Sequence, residues 1–234
     1  MRRPVRISLA VALALTVAAG SSGCCGLLPS RSATDASDGA APGGTQKVLR
    51  TFFSASTKSG TYDSTTVYAD GKTLSEKAEF WVSGRKLRID LYRDGALRIS
   101  IRSADGKTAY FCRPDTKTAE PSVATPDVYL RGFTRPSTPG ESLGVDATTG
   151  AERVRYVLKE TSDVAGADNP WYVEDLVYSV KSGRVTSVVQ RAGVPHPGQP
   201  TELDTLTMEF TRLDVGGKIP ADTFEIPYPI APAD

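Results

Sequence analysis

The sequence predicts a mainly-β (α+β) domain built on a single antiparallel meander. Apolar residues recur with a period of two through most of the chain, giving each run one apolar and one solvated face. The runs are separated by turn dipeptides: Asp70-Gly71, Ser83-Gly84, Asp94-Gly95, Asp105-Gly106 and Ser182-Gly183. One segment near the start carries a helical period instead.

That segment is Thr45–Ser56, where Val48, Leu49, Phe52 and Phe53 share one helical face and Thr45, after a Gly pair, is placed as N-cap. The strand runs follow. Phe80 and Val82 form one apolar row; Leu87, Ile89 and Leu91 form the next, and Leu97, Ile99 and Ile101 the third. After a gap come Val154, Tyr156 and Leu158, then Leu176, Tyr178 and Val180, then Val185–Val189 beyond the Ser182-Gly183 turn. Leu206, Met208 and Phe210 line the last long strand, for roughly nine or ten strands. The pentapeptide ADGKT occurs at 69–73 and 104–108 and reads as repeated turn chemistry, not as a duplicated domain. The gap, Arg113–Gly150, is rich in Pro, Ser and Thr. Within it Thr125-Pro126-Asp127 is placed to start a short helix that Gly132 ends. So long an insertion in a compact sheet is expected to act as a lid or a mobile loop.

A sheet with one apolar face must cover that face. One helix and one short insertion are little cover, so the sheet either closes as a barrel or curls around an apolar cavity. The residues expected on the inner side are Phe80, Val82, Leu87, Ile89, Leu91, Leu97, Ile99, Ile101, Val154, Tyr156 and Leu158. Those beneath helices are expected to be core, and those left uncovered to contact ligand.

Upstream of the domain, Arg2, Arg3 and Arg6 precede an apolar stretch, Ile7–Gly20. A basic head and an apolar run of about 14 residues form a secretory signal, too short for the roughly 20 residues of a membrane span. Val17-Ala18-Ala19 would serve ordinary cleavage. The stretch Ser21-Ser22-Gly23-Cys24 resembles the bacterial lipobox, with Ser21 in place of the common Leu. That resemblance implies a signal peptide over 1–23, diacylglyceryl modification of Cys24, and palmitate-type chains holding the protein on the extracytoplasmic side of the cell membrane. Two or more chains hold firmly where one does not. Residues 24–44, poor in large apolar side chains, are expected to form a disordered tether spanning ~25 Å, ahead of a domain over 45–230.

Composition excludes several functions. The chain has 28 Lys and Arg against 27 Asp and Glu, and loses three arginines with the signal, leaving a net charge near −2 and no basic block for nucleic acid. Three cysteines are too few for a disulfide framework; Cys112 reads as a small buried hydrophobe, with pairing to Cys25 as the alternative. Gly140-Glu141-Ser142-Leu143-Gly144 matches a hydrolase elbow, but neither flank supplies the strand and helix that motif needs, and the one histidine, His196, sits between prolines. The two GKT tripeptides lack the upstream glycine of a phosphate loop, Thr66 and Ile101 standing there. With one histidine, no metal site and no cofactor are expected, and no catalysis.

The order of segments resembles a known family. FWVSGRKLRIDLYRDG and ADGKTAYFCRPDTKTA are followed by a Pro-rich middle, the hairpin DLVYSVKSGRVTSVV and the ending LTMEFTRLDVGGKIPADTFEIPYP. Over residues 45–229 this resembles the lipoprotein-localisation factor LolA and its relatives, the LppX/LprG-type lipoproteins and RseB-type sensor domains. The resemblance implies an unclosed half-barrel, with the N-terminal helix and short helices of the 113–150 insertion over its concave face. It also implies an apolar cavity for a lipid or acylated ligand, and a role in lipid or lipoprotein transport. An RseB-like module binding an envelope partner protein is the alternative. LolA itself is soluble, so the tethered relatives are the better comparison.

Overall fold

The computed structural model describes residues 43–122, 124–162, 171–193 and 203–231. Helix α1 (Gly43–Ser54) is followed by β1 (Thr57–Val67), β2 (Thr73–Ser83), β3 (Lys86–Arg93), β4 (Ala96–Ser103), β5 (Tyr110–Arg113) and β6 (Thr118–Pro121). Helix α2 (Pro126–Leu130) and a 3-10 turn (Arg131–Phe133) lead to β7 (Glu141–Val145), β8 (Glu152–Ser162), β9 (Trp171–Lys181), β10 (Arg184–Gly193) and β11 (Asp204–Val215). All eleven strands form one antiparallel sheet that does not close, in the order β6-β5-β4-β3-β2-β1-β11-β10-β9-β8-β7. Two meander runs therefore meet at the β1–β11 seam, a pairing between the two ends of the domain that local periodicity does not reveal. An open sheet with α1, α2 and the Arg131–Phe133 turn on one face is the architecture the LolA resemblance implies.

The turn dipeptides act as their chemistry requires. Asp94-Gly95 and Ser182-Gly183 each hold two consecutive residues at positive φ (53° and 75°; 52° and 74°), the two-residue turn that matches strand twist.

The inner face is filled in two aromatic clusters. Under α1, Phe53 meets Tyr178 edge-on at 5.1 Å and Tyr156 at 5.9 Å. Under the 3-10 turn, Phe80 stacks on Phe133 at 4.7 Å and packs against Tyr62 and Phe210. Such pairs add to the burial of ring area itself. Gly132 was expected to end its helix; instead the chain continues into the 3-10 turn, and a Cβ there would lie 2.5 Å from Met208 Cε. Close approach to the sheet is the reason for that glycine. Thr45, expected as N-cap, lies inside α1, which starts at Gly43, and its hydroxyl donates to Glu152 on β8.

The outer face is covered in part by the C-terminal segment. Phe224 is buried, Arg102 donates to the Glu225 carbonyl, and the Pro229 carbonyl accepts from Ala119 N–H at 3.0 Å. The Ala119 carbonyl in turn accepts from Ala231 N–H at 2.8 Å, so the strap occupies the β6 edge. An unpaired edge invites association, and this cover removes one of the two. Beneath it Cys112 is buried and free, its thiol pushed up to about 11 by burial. Cys25, its alternative partner, lies outside the described residues.

Asp90 and Asp175 anchor arginine clusters on the outer face. Asp175, almost wholly buried, accepts from Arg191 Nε at 2.9 Å and Nη2 at 2.6 Å, and from Arg155 Nε at 2.6 Å. Burial alone would raise its pKa, but the two guanidinium groups outweigh burial and hold it below the usual carboxylate value. A depressed folded pKa gives stability that is present above the unfolded value of about 3.9 and is lost as pH falls below it. Asp175→Asn is expected to cost ~1–2 kcal/mol at neutral pH. That deficit should shrink as pH is lowered from 4 toward 2, read by urea unfolding at a series of pH values.

Candidate ligand-binding groove

Helix α1 is amphipathic and lies across β9 and β10 on the inner face. Leu49 and Phe52 are its fully buried contacts. Val48 is only half-buried, because the flank of α1 carrying Lys47, Val48 and Thr51 stands off from the sheet. Between that flank and the sheet runs a groove of about 380 Å³, within the size range of small-molecule sites. Its floor is Phe52, Val185, Leu213 and Val215, and Lys47, Thr51 and Arg184 stand at its rim. Lys58 lies behind it, donating to the Ala55 carbonyl at 2.8 Å with its ammonium 5.3 Å from the Phe52 ring centroid; burial pulls its pKa down.

A bulge explains why Leu213 and Val215 face the groove. Pairing of β1 with β11 slips by one residue after Thr61, which pairs with Arg212 while Tyr62 pairs with Phe210. Thr211 is the extra residue, and its hydroxyl sits 2.7 Å from that of Thr61. The slip changes the parity of the inward row from Leu206, Met208 and Phe210 to Leu213 and Val215.

The eleven residues expected on the inner side lie as follows. Phe80, Val82, Leu87, Ile89, Leu91, Ile99, Ile101, Val154 and Tyr156 are buried among the protein's own side chains. Leu97 and Leu158 are half-buried, each beside a register shift: Leu97 pairs with Tyr92, off the row of Ile99, and Lys159 takes φ +48° beside Leu158. None of the eleven lines the groove. Sequence reasoning found Val48 and Phe52 as a helical face but missed Lys47, Thr51, Arg184, Leu213 and Val215. The signal for the last two was the break in alternation between Phe210 and Leu213.

A second depression of about 440 Å³ lies across the outer side of β1, β2 and β3, with Thr61, Asp63, Lys77, Glu79, Tyr92 and Thr211 around it. Tyr92 donates to Glu79 at 3.4 Å, and burial, then the Asp90 and Glu79 charges, raise its pKa. Tyr62 and Ala78 also line it, but its walls carry the Asp63 and Glu79 carboxylates, which the groove under α1 lacks. Ser142 lies on β7, an edge strand, where its hydroxyl accepts from Gly144 N–H at 3.3 Å; the strand-to-helix turn of a hydrolase elbow is not there. His196 and Cys24 lie outside the described residues. No helix among the described residues is long and apolar enough to cross a membrane.

Fold and groove together define an open-sheet protein with one amphipathic groove under an N-terminal helix. No family model matches the chain, and no curated protein matches it in sequence. Among solved structures it is similar to an uncharacterized conserved protein from Thermus thermophilus (9% identity, 80% of this chain and 98% of that one, TM-score 0.42). It is also similar to a LolA superfamily protein from Nitrosomonas europaea (8% identity, 77% and 96%, TM-score 0.39). A DUF1329 family protein from Desulfovibrio piger matches comparably (9% identity, 78% and 95%, TM-score 0.38). Likenesses at these scores carry no functional argument.

Proposed function

We propose that this chain is a non-catalytic, membrane-anchored envelope lipoprotein that binds a lipid or acyl chain in the groove under α1, in a lipid- or lipoprotein-transport role. The carrying observation is the half-buried apolar lining, Val48, Leu213 and Val215, beside a space of about 380 Å³. Each buried methylene is worth about 0.8 kcal/mol, so eight in the groove give ~6 kcal/mol before ordering costs. A micromolar complex needs ~8 kcal/mol, so the headgroup must contribute or the chain must run deeper. A deeper course past Phe52 and Phe53 reaches Tyr156 and Val154 and, beyond them, the rows of Phe80, Val82, Leu87, Ile89, Leu91, Leu97, Ile99, Ile101 and Leu158; it requires α1 to move outward.

The anchor is diacylglyceryl-modified Cys24, with residues 24–44 as tether to the domain over 45–230, which places the groove near the membrane because α1 follows the tether directly. A second reading is favoured by β7, whose outer edge pairs with no other strand among the described residues and which exposes Leu143 (38%) and Val145 (64%). An envelope partner protein would add a strand there. One experiment separates the two. Mass spectrometry of protein purified from its own membrane is expected to show acyl mass on Cys24 and, under native conditions, one non-covalent lipid per chain. An unmodified N-terminus at Gly20 would sink the anchor, and lipid-free protein would pass the function to β7.

A further inference from the structure

We infer that the groove takes an anionic amphiphile, its headgroup held between Lys47 and Arg184. The inference rests on the groove being the ligand site and adds the chemistry of what fills it. Several arginines on the sheet are matched to carboxylates: Arg88 to Asp90, Arg93 to Glu76, Arg113 to Glu120, and Arg155 and Arg191 to Asp175. Lys47 and Arg184 have no hydrogen-bond or ion-pair partner among the described residues, and no carboxylate lines the groove.

The two cations come from opposite walls. Lys47 and Thr51 are four residues apart on α1, so they share a helix face and offer an ammonium and a hydroxyl together. Arg184 follows the Ser182-Gly183 turn, whose positive φ values set it at the hairpin tip. Around the groove, Lys58 is engaged with the Ala55 carbonyl, Glu152 accepts from Thr45, and Asp214 is exposed between half-buried Leu213 and Val215. An apolar floor with an unneutralised cation on each bank complements a chain carrying a phosphate or carboxylate at one end. It disfavours a neutral head, which leaves both cations unmatched, and a zwitterionic head, whose own quaternary ammonium brings a further positive charge beside Lys47 and Arg184.

The test is titration of the full mature chain with monomeric myristoyl lysophosphatidylglycerol and myristoyl lysophosphatidylcholine by calorimetry. Exposed ion pairs are each worth up to about fivefold in affinity, so the wild type is expected to prefer the anionic lipid by roughly 5- to 20-fold. The preference should shrink as salt rises from 50 to 500 mM, because the contacts are exposed. In the Lys47→Gln/Arg184→Gln double variant the ratio should fall to near one. Equal affinity for both lipids in the wild type, or a preference that survives in the double variant, overturns this inference. Binding of neither lipid overturns the groove reading itself. Inorganic phosphate is expected not to compete at matched ionic strength; full displacement by it would assign the cations to a free anion and also overturn the inference.

Discussion

Phe80→Ala is expected to destabilise the domain by about 3–5 kcal/mol, lowering its melting temperature by ~10 °C. Phe80 is fully buried and is the hub where the two layers of this half of the sheet meet. Its ring stacks on Phe133 from the insertion and touches Tyr62 on β1 and Phe210 on β11. Truncation removes its own burial and leaves a cavity that three rings from three elements cannot all close. The insertion would lose its principal stacking contact, so protease cleavage within 113–150 should also become faster. Leu97→Ala, at a half-buried position on the same sheet, is expected to cost only about 1 kcal/mol. Urea unfolding of the two variants side by side measures the contrast.

Gly60→Ala has the second large effect, about 3 kcal/mol, at the upper end of overpacking penalties. Gly60 pairs with Leu213 at the seam, and a Cβ there would lie 2.0 Å from the Arg212 carbonyl oxygen. That neighbour is backbone, held by the adjacent bulge and by the Thr61–Thr211 hydroxyl contact, so it has no rotamer with which to move away. Among the described residues the β1–β11 pairing is where the two meander runs share backbone hydrogen bonds, so the damage should spread into both. Hydrogen exchange of β1 and β11 amides should rise together. Gly43→Ala, with nothing within 4 Å of the added Cβ, is the control and should be neutral or slightly stabilising.

The contrast between these sites marks what the chain's local pattern carries. Alternation placed Phe80, Leu87 and Ile89 on the buried face because each sits in an uninterrupted run, and the turn dipeptides located the hairpins because positive φ leaves few residue choices. Leu97, Leu158, Leu213 and Val215 escaped, since one extra residue at a bulge inverts parity and no local residue announces it. The seam escaped because it joins residues about 150 apart. The IPADTFEIPYP ending was legible as a resemblance but not as what it does, covering the outer face and the β6 edge. The groove is the least legible part. It arises where α1 stands off from the sheet, and its polar rim comes from a helix flank and a hairpin tip that no shared motif connects.

The central claim, that an acyl chain lies in the groove between α1 and the β10–β11 end of the sheet, is tested most directly by filling that space. Val48 is half-buried on the open flank of α1, so a larger side chain there occupies the groove without entering the core. The measurement is binding of a fluorescent fatty acid to wild type and to Val48→Trp, with circular dichroism and melting temperature recorded for both. The prediction is a loss of at least tenfold in affinity in a variant whose spectrum and melting temperature match the wild type. Unchanged affinity in a correctly folded Val48→Trp protein would contradict the account and place the ligand elsewhere.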